Sequence, residues 1–260
     1  MAKGNRRRKI RPREKSTLLR TSLASEQALP LTIPSRWLKW IIGVFLLPLC
    51  WVATSAFFNC FSAATLQHRF WATEEFWFFS LGVLLWIIAF VGLPKPVLVY
   101  VYGHELTHAV WVWLMGGRVS HFEATRDGGY IITDKSNFLI ALAPYFFPFY
   151  SLLTIAIWGL VSLFHPLNSH LEYLFTLIGL TWGFHLSFTV WMIPKGQTDL
   201  SEHGHFFSLV VIYLMNLALL VTFLVGASRH VTLKDYSKEA LRSAVELSSA
   251  ARSVIQQTLH

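Results

Sequence analysis

Charge is scarce in this chain. Only 14% of its 260 residues are Asp, Glu, Lys or Arg, against 54% hydrophobic residues. Soluble domains carry about 25% charged residues, so the composition excludes an ordinary soluble domain and indicates a multi-pass membrane protein. Cysteine is nearly absent. Cys50 and Cys60 are the only two, and on one helix they would stand about 15 Å apart along the axis. That separation excludes a disulfide between them. No internal repeat is visible, which removes the main signature of many transporters. A signal-peptide core is also missing: the basic N-terminus is not followed closely by a short apolar segment.

The net charge of +8 is concentrated at the start. Lys3, Arg6, Arg7, Arg8, Lys9, Arg11, Arg13, Lys15 and Arg20 fall within the first 20 residues. Such an arm suits a cytoplasmic N-terminus held by the positive-inside rule better than nucleic-acid binding. We therefore expect residues 1–36 to form a basic, mostly disordered cytoplasmic tail without a nucleic-acid partner.

The fold class expected is an all-α polytopic membrane protein, with residues 37–228 embedded in the lipid bilayer. About six transmembrane helices are read, near Trp37–Phe61, Phe76–Leu93, Val97–Met115, Phe138–Phe164, Leu171–Ile193 and Phe206–Ala227. Trp37, Lys39 and Trp40 suit an interfacial edge. Pro94-Lys95-Pro96 breaks the chain, and Pro96 suits a first helical turn. Gly116-Gly117 ends the third helix. Pro144 and Pro148 should kink the fourth run. Between the third and fourth runs, Val119, Phe122, Tyr130, Ile131 and Ile132 flank Arg126-Asp127-Gly128-Gly129, a β-hairpin pattern. Six spans from a cytoplasmic N-terminus place the C-terminus in the cytoplasm. Residues 229–260 repeat apolar positions at three- and four-residue intervals (Leu233, Tyr236, Ala240, Ala244, Leu247, Ala251, Val254), an amphipathic helix for the membrane surface or a partner. Nothing in the sequence sets an oligomeric state.

Inside the third run lies His104-Glu105-Leu106-Thr107-His108. Two histidines four apart share a helix face and can hold Zn2+, and the intervening Glu105 can act as general base. Ionisable groups at bilayer depth are rare and usually functional. His104 sits about 10 Å into its helix, so Tyr100, Tyr102 and Thr107 are candidates to line a wet cavity. A hydrolytic zinc site needs three protein ligands and one open position. The third ligand must come from a distant segment. Asp199, Glu202, His203, His205 and His185 are the candidates; a carboxylate suits the pattern, with Asp199 best placed and Glu202 next. His185 is alternatively a hydrogen-bonded interior histidine or a group that stabilises a transition state.

Over about residues 95–205 the chain resembles the site-2-protease family of intramembrane zinc metalloproteases. The resemblance is carried by His104–His108, then Ala109, Gly116-Gly117-Arg118-Val119, the short hairpin, and Ala141-Leu142-Ala143-Pro144. It implies zinc bound by His104, His108 and Asp199, with Glu105 as the catalytic base and a membrane protein as substrate. Pro194 lies five residues before Asp199, the spacing found in that family. The surroundings of Asp199 depart from the family's pattern: Thr198 and Leu200 flank it, and Trp191 occupies the position usually held by Asn. This departure motivates a rival reading, a catalytically inactive membrane scaffold or receptor that keeps the fold. For Asp199 to meet the histidines, residues 194–204 must dip back into the membrane, as backbone lining a wet cavity can.

Overall fold

In a computed structural model of the chain, residues 35–67, 69–165, 167–228 and 230–258 are described. The expected disordered tail therefore falls almost wholly outside the described residues.

Helix α1 (Ser35–Ser62) contains Pro48 and continues into a single π-helical turn at Ala63–Gln67. Helix α2 (Glu74–Gly92) is capped by the Thr73 hydroxyl, which accepts from the Phe76 N–H, and Glu74 and Glu75 occupy its first turn. Acidic side chains there complement the exposed amides of the helix start. Helix α3 (Val97–Leu114) carries the His-Glu-Leu-Thr-His segment. Pro96 is its capping residue rather than part of its first turn. Gly116, at φ 74°, turns the chain out of α3.

Strands β1 (Val119–Thr125) and β2 (Gly128–Thr133) form an antiparallel hairpin closed by Arg126-Asp127, with Thr125 opposite Gly128. Gly128 adopts φ 136°, a conformation that favours glycine. The fourth apolar run is split. Helix α4 (Phe138–Leu142) passes through a 3-10 turn at Ala143–Tyr145, and α5 (Phe149–Ser162) leaves at a bend of 80°. Pro144 and Pro148 sit at that break, where a missing N–H costs no regular helix. Helix α6 (Leu171–Met192) is followed by a turn at Ile193–Lys195, the short α7 (Thr198–His203), α8 (His205–Ala227) and α9 (Leu233–Thr258).

Among the described residues, four helices are long and apolar enough to cross a membrane (α1, α2, α6 and α8), or five spans if the bent pair α4–α5 counts as one. The expected six are reduced because α3 falls outside this set. Its two histidines and glutamate dilute an otherwise apolar sequence.

Two packing features position the site. Helices α2 and α6 touch at glycine: a Cβ at Gly82 would collide with the Thr176 carbonyl oxygen, and one at Gly179 with that of Phe79. Without competing water, membrane helices associate through this kind of close backbone approach. Beside that contact, Trp86 of α2, Tyr100 and Val101 of α3, and Phe184 and Phe188 of α6 form one buried cluster. Tyr100 stacks on Phe188 with centroids 4.7 Å apart. A second cluster joins Leu142, Ala143, Tyr145 and Phe146 to Leu200 of α7 and to Phe207, Val211 and Ile212 of α8.

Helix α9 belongs to the same compact unit, residues 36–260. Thr232 and Asp235 form a capping box at its start: the Asp235 N–H donates to the Thr232 hydroxyl, and the Thr232 N–H donates to the Asp235 carboxylate. Those bonds from Thr232 hold the Asp235 carboxyl below its ordinary pKa. Tyr236 reaches α1 by donating to the Ala53 carbonyl. Of the apolar stripe read from sequence, Tyr236, Ala240 and Leu247 are partly buried and Leu233, Ala244, Ala251 and Val254 are exposed; Leu241, Val245 and Ile255, outside that stripe, are exposed as well.

The glycine contact predicts an asymmetric mutational response. Gly82→Ala or Gly179→Ala should destabilise the protein by about 1–3 kcal/mol through enforced separation of two backbones. Gly159→Ala, where an added Cβ meets nothing within 4 Å, should leave thermal unfolding in detergent unchanged.

Candidate metal centre

On α3, residues 104 and 108 lie one turn apart and face the same side. Both side chains are buried. Asp199 reaches them from α7, 95 residues along the chain from His104. Leu200, fully buried in the second cluster, anchors α7, and Gly196 (φ 75°) and Gly204 (φ 87°) turn the backbone on either side. The segment expected to return toward the histidines does so as a short helix between two glycine turns.

The three ligand atoms form a near-equilateral triangle. His104 Nε2 lies 3.2 Å from His108 Nε2 and 3.3 Å from Asp199 Oδ2. His108 Nε2 lies 3.6 Å from Asp199 Oδ2. Ligands about 2.0–2.1 Å from a tetrahedral metal stand about 3.3 Å from one another. The observed edges match that spacing. His104, His108 and Asp199 thus form a group that could hold a metal ion, and among the described residues it is the one such group of three His, Cys, Asp or Glu side chains.

Each ligand is held by a further contact. His108 Nδ1 lies 2.9 Å from the Ile140 carbonyl oxygen. That carbonyl is free for a reason written in the sequence: its helical partner would be the N–H of residue 144, and Pro144 has none. The His108 Nδ1–H fills the gap, which leaves the Nε2 lone pair pointing inward. His104 Nδ1 is 3.2 Å from the Tyr100 hydroxyl, and the same tautomer leaves its Nε2 lone pair facing the cluster. Tyr145, fully buried, donates its hydroxyl to Asp199 Oδ2 at 3.0 Å. In that tautomer the two Nε2 lone pairs and the Asp199 carboxylate offer three donor atoms to one cation; an Nε2–H on His104 would instead donate to Asp199 Oδ2.

Glu105 is buried next to this cluster, and no hydrogen bond ties its carboxylate to another described residue. The hairpin covers it. A Cβ on Gly129 of β2 would stand 2.5 Å from Glu105 Cγ and 2.9 Å from Oε1. Tyr102 packs edge-on against Phe122 of β1, so it faces the hairpin. Tyr100 and Thr107 line a cavity on the other flank of α3, as expected of them.

The alternative ligands lie elsewhere. Glu202 and His205 are exposed. His203 is buried, and its Nδ1 accepts from Lys39 Nζ of α1 at 2.6 Å. His185 on α6 lines the same cavity as Tyr100 and Thr107 and is not part of the triangle. Two members of the site escaped sequence reasoning. Tyr145 follows Pro144 directly, yet nothing in that pair signals a carboxylate partner. The Ile140 carbonyl carries no side-chain signature at all; only the proline four residues later hints at it.

These contacts fix the expected metal behaviour. Purified protein should carry divalent metal, measured by elemental analysis, and His104→Ala or Asp199→Ala should lose it. Glu202→Ala should retain it. Tyr145→Phe and Pro144→Ala, which disturb only the groups orienting Asp199 and His108, should weaken metal affinity about 10–100-fold without abolishing binding. Comparison of the chain with protein-family models, with curated proteins and with solved structures finds no match.

Proposed function

We propose that this protein is an intramembrane zinc metalloprotease of the site-2-protease type. The observation that carries the reading is the meeting of three inward-facing donors with a buried, untethered glutamate one residue from a ligand. Two imidazoles and a carboxylate form a donor set characteristic of catalytic zinc with an open fourth position. A resident zinc ion supplies Lewis acidity and brings the pKa of a water to about 7.

The chain's own residues account for the rest. The Glu105 carboxylate, free of internal hydrogen bonds, takes a proton from the attacking water and delivers it to the leaving amine. Asp199, fixed by Tyr145, and His108, fixed by Ile140, hold their donor atoms in place without rearrangement during turnover. The hairpin pressed on Glu105 excludes bulk water from that side. A substrate helix hides its carbonyls in its own hydrogen bonds, so it must unwind before cleavage. The hairpin's outer edges offer strand pairing to such an unwound segment.

In this reading α3 is also membrane-embedded. Added to the four apolar spans and the bent pair, it gives six crossings, and the basic arm places both termini in the cytoplasm. The polar residues that keep α3 from reading as a span are then buried in protein, not exposed to lipid.

The rival scaffold reading rests on the unusual neighbours of Asp199, Thr198 and Leu200. One experiment separates the two. In detergent, wild-type protein should cleave a model transmembrane substrate, and Glu105→Gln should lower kcat by about 10²–10⁴-fold with metal content unchanged. Activity of Glu105→Gln within a few-fold of wild type removes the general-base role. Wild-type protein that binds metal and cleaves nothing favours the scaffold.

A further inference from the structure

Helix α6 carries a histidine that the metal triangle does not use. His185 is buried, and its Nε2 has no hydrogen-bond partner among the described residues. An unpaired polar atom in apolar surroundings is costly and calls for a partner. His185 lines a cavity together with His104, Tyr100, Thr107 and Phe184. The room inside is ≈ 20 Å³, enough for about one water-sized polar group.

The other polar groups of that wall are already engaged. The Thr107 hydroxyl donates to the Gly103 carbonyl at 2.7 Å. The Tyr150 hydroxyl donates to Val99 at 2.6 Å. The Tyr100 hydroxyl pairs with His104. The His185 imidazole, which makes no hydrogen bond to another described residue, is left to meet an incoming group.

Helix geometry sets the cavity against the base. At 100° per residue, Tyr100, Gly103, His104 and Thr107 share one stripe of α3, and Glu105 is turned well away from it. The cavity and Glu105 therefore flank His104 from opposite sides. A peptide lying across the metal ligands meets the base on one side and His185 on the other.

We propose that this cavity is a substrate subsite that receives one main-chain carbonyl oxygen of the unwound peptide, with the His185 imidazole N–H as its donor. The inference rests on the protease reading and deepens it. Unwinding strips carbonyls of their helical donors, and in apolar surroundings each needs a replacement. One oxygen matches the room available, and the N–H of a neutral imidazole matches the acceptor. The residue acts by binding, and it does not hold the metal.

The test uses the full-length protein in detergent with a model transmembrane substrate. H185A should lower kcat/KM on the order of ten- to a hundred-fold, with metal content and melting temperature at wild-type levels. H185Q, which keeps an N–H donor, should recover most of that loss. H185A cleaving within twofold of wild type overturns the subsite, as does H185Q performing no better than H185A. If H185A does not fold, H185Q is compared with H185L: a rate about ten times higher for H185Q supports the donor, and equal rates overturn it. An inactive Glu105→Gln beside an unimpaired H185A removes the subsite and leaves hydrolysis standing. Wild-type protein that cleaves nothing removes both.

Discussion

Two imidazole nitrogens and one carboxylate oxygen face each other at 3.2–3.6 Å in the interior of an apolar helical protein. Such a cluster is costly to bury unless its groups are paired with one another, with further hydrogen-bond partners or with a cation. Each side chain has one further contact. Tyr100 and the Ile140 carbonyl engage the Nδ1 atoms of His104 and His108, and Tyr145 donates to the same Asp199 Oδ2 that faces the histidines. The rest of the architecture can be understood as the scaffolding this arrangement requires. The α2–α6 glycine contact brings in the aromatic cluster that includes Tyr100. The second cluster carries Tyr145 and Leu200, and so Asp199.

Regular helices alone could not build this site. Every donor and acceptor inside a continuous helix is already paired, and a straight helix offers its neighbours only side chains. The break at Pro144 changes that by releasing the Ile140 carbonyl toward His108. Gly196 and Gly204 do the same service for α7, allowing a short helix to sit between two long ones with its aspartate turned inward. Irregular backbone in a membrane-embedded region is tolerated where protein covers it. Here the irregular pieces are the ones that touch or carry the candidate metal ligands. The hairpin follows the same logic: Gly129 gives it close access to Glu105 because no side chain intervenes.

How far the sequence revealed this depended on the kind of signal. His104, Glu105 and His108 were legible because a helix fixes the relation between residues four apart. The hairpin was legible from Asp127-Gly128, since few sequences tolerate the conformation Gly128 adopts. Asp199 was reached through its spacing from Pro194 and by resemblance, while Glu202, His203, His205 and His185 stayed open because spacing along a chain does not give direction in space. Tyr145 was invisible for that reason as well: its role exists only because α4 and α7 meet. The third run shows a limit of the sequence reading. Its apolar flanks read as a span, yet with two histidines and a glutamate at its centre α3 is not among the helices apolar enough to cross a membrane.

Polar groups near the site are spent sparingly, and the pattern of spending separates structural from chemical roles. Thr107 and Tyr150 return their hydroxyl hydrogens to backbone carbonyls of α3. Such bonds satisfy the group and close it to ligands. His203 is committed to Lys39 and thereby ties the α7 segment to the first helix. Glu105 is different, for burial has brought it beside three candidate metal-ligand donors without a hydrogen-bond partner among the described residues. A carboxylate kept in that condition gains nothing for the fold, because an unpaired buried charge is destabilising. Under the proposed function, that loss of stability leaves one proton acceptor free beside the candidate metal centre, on the side of α3 that the hairpin closes.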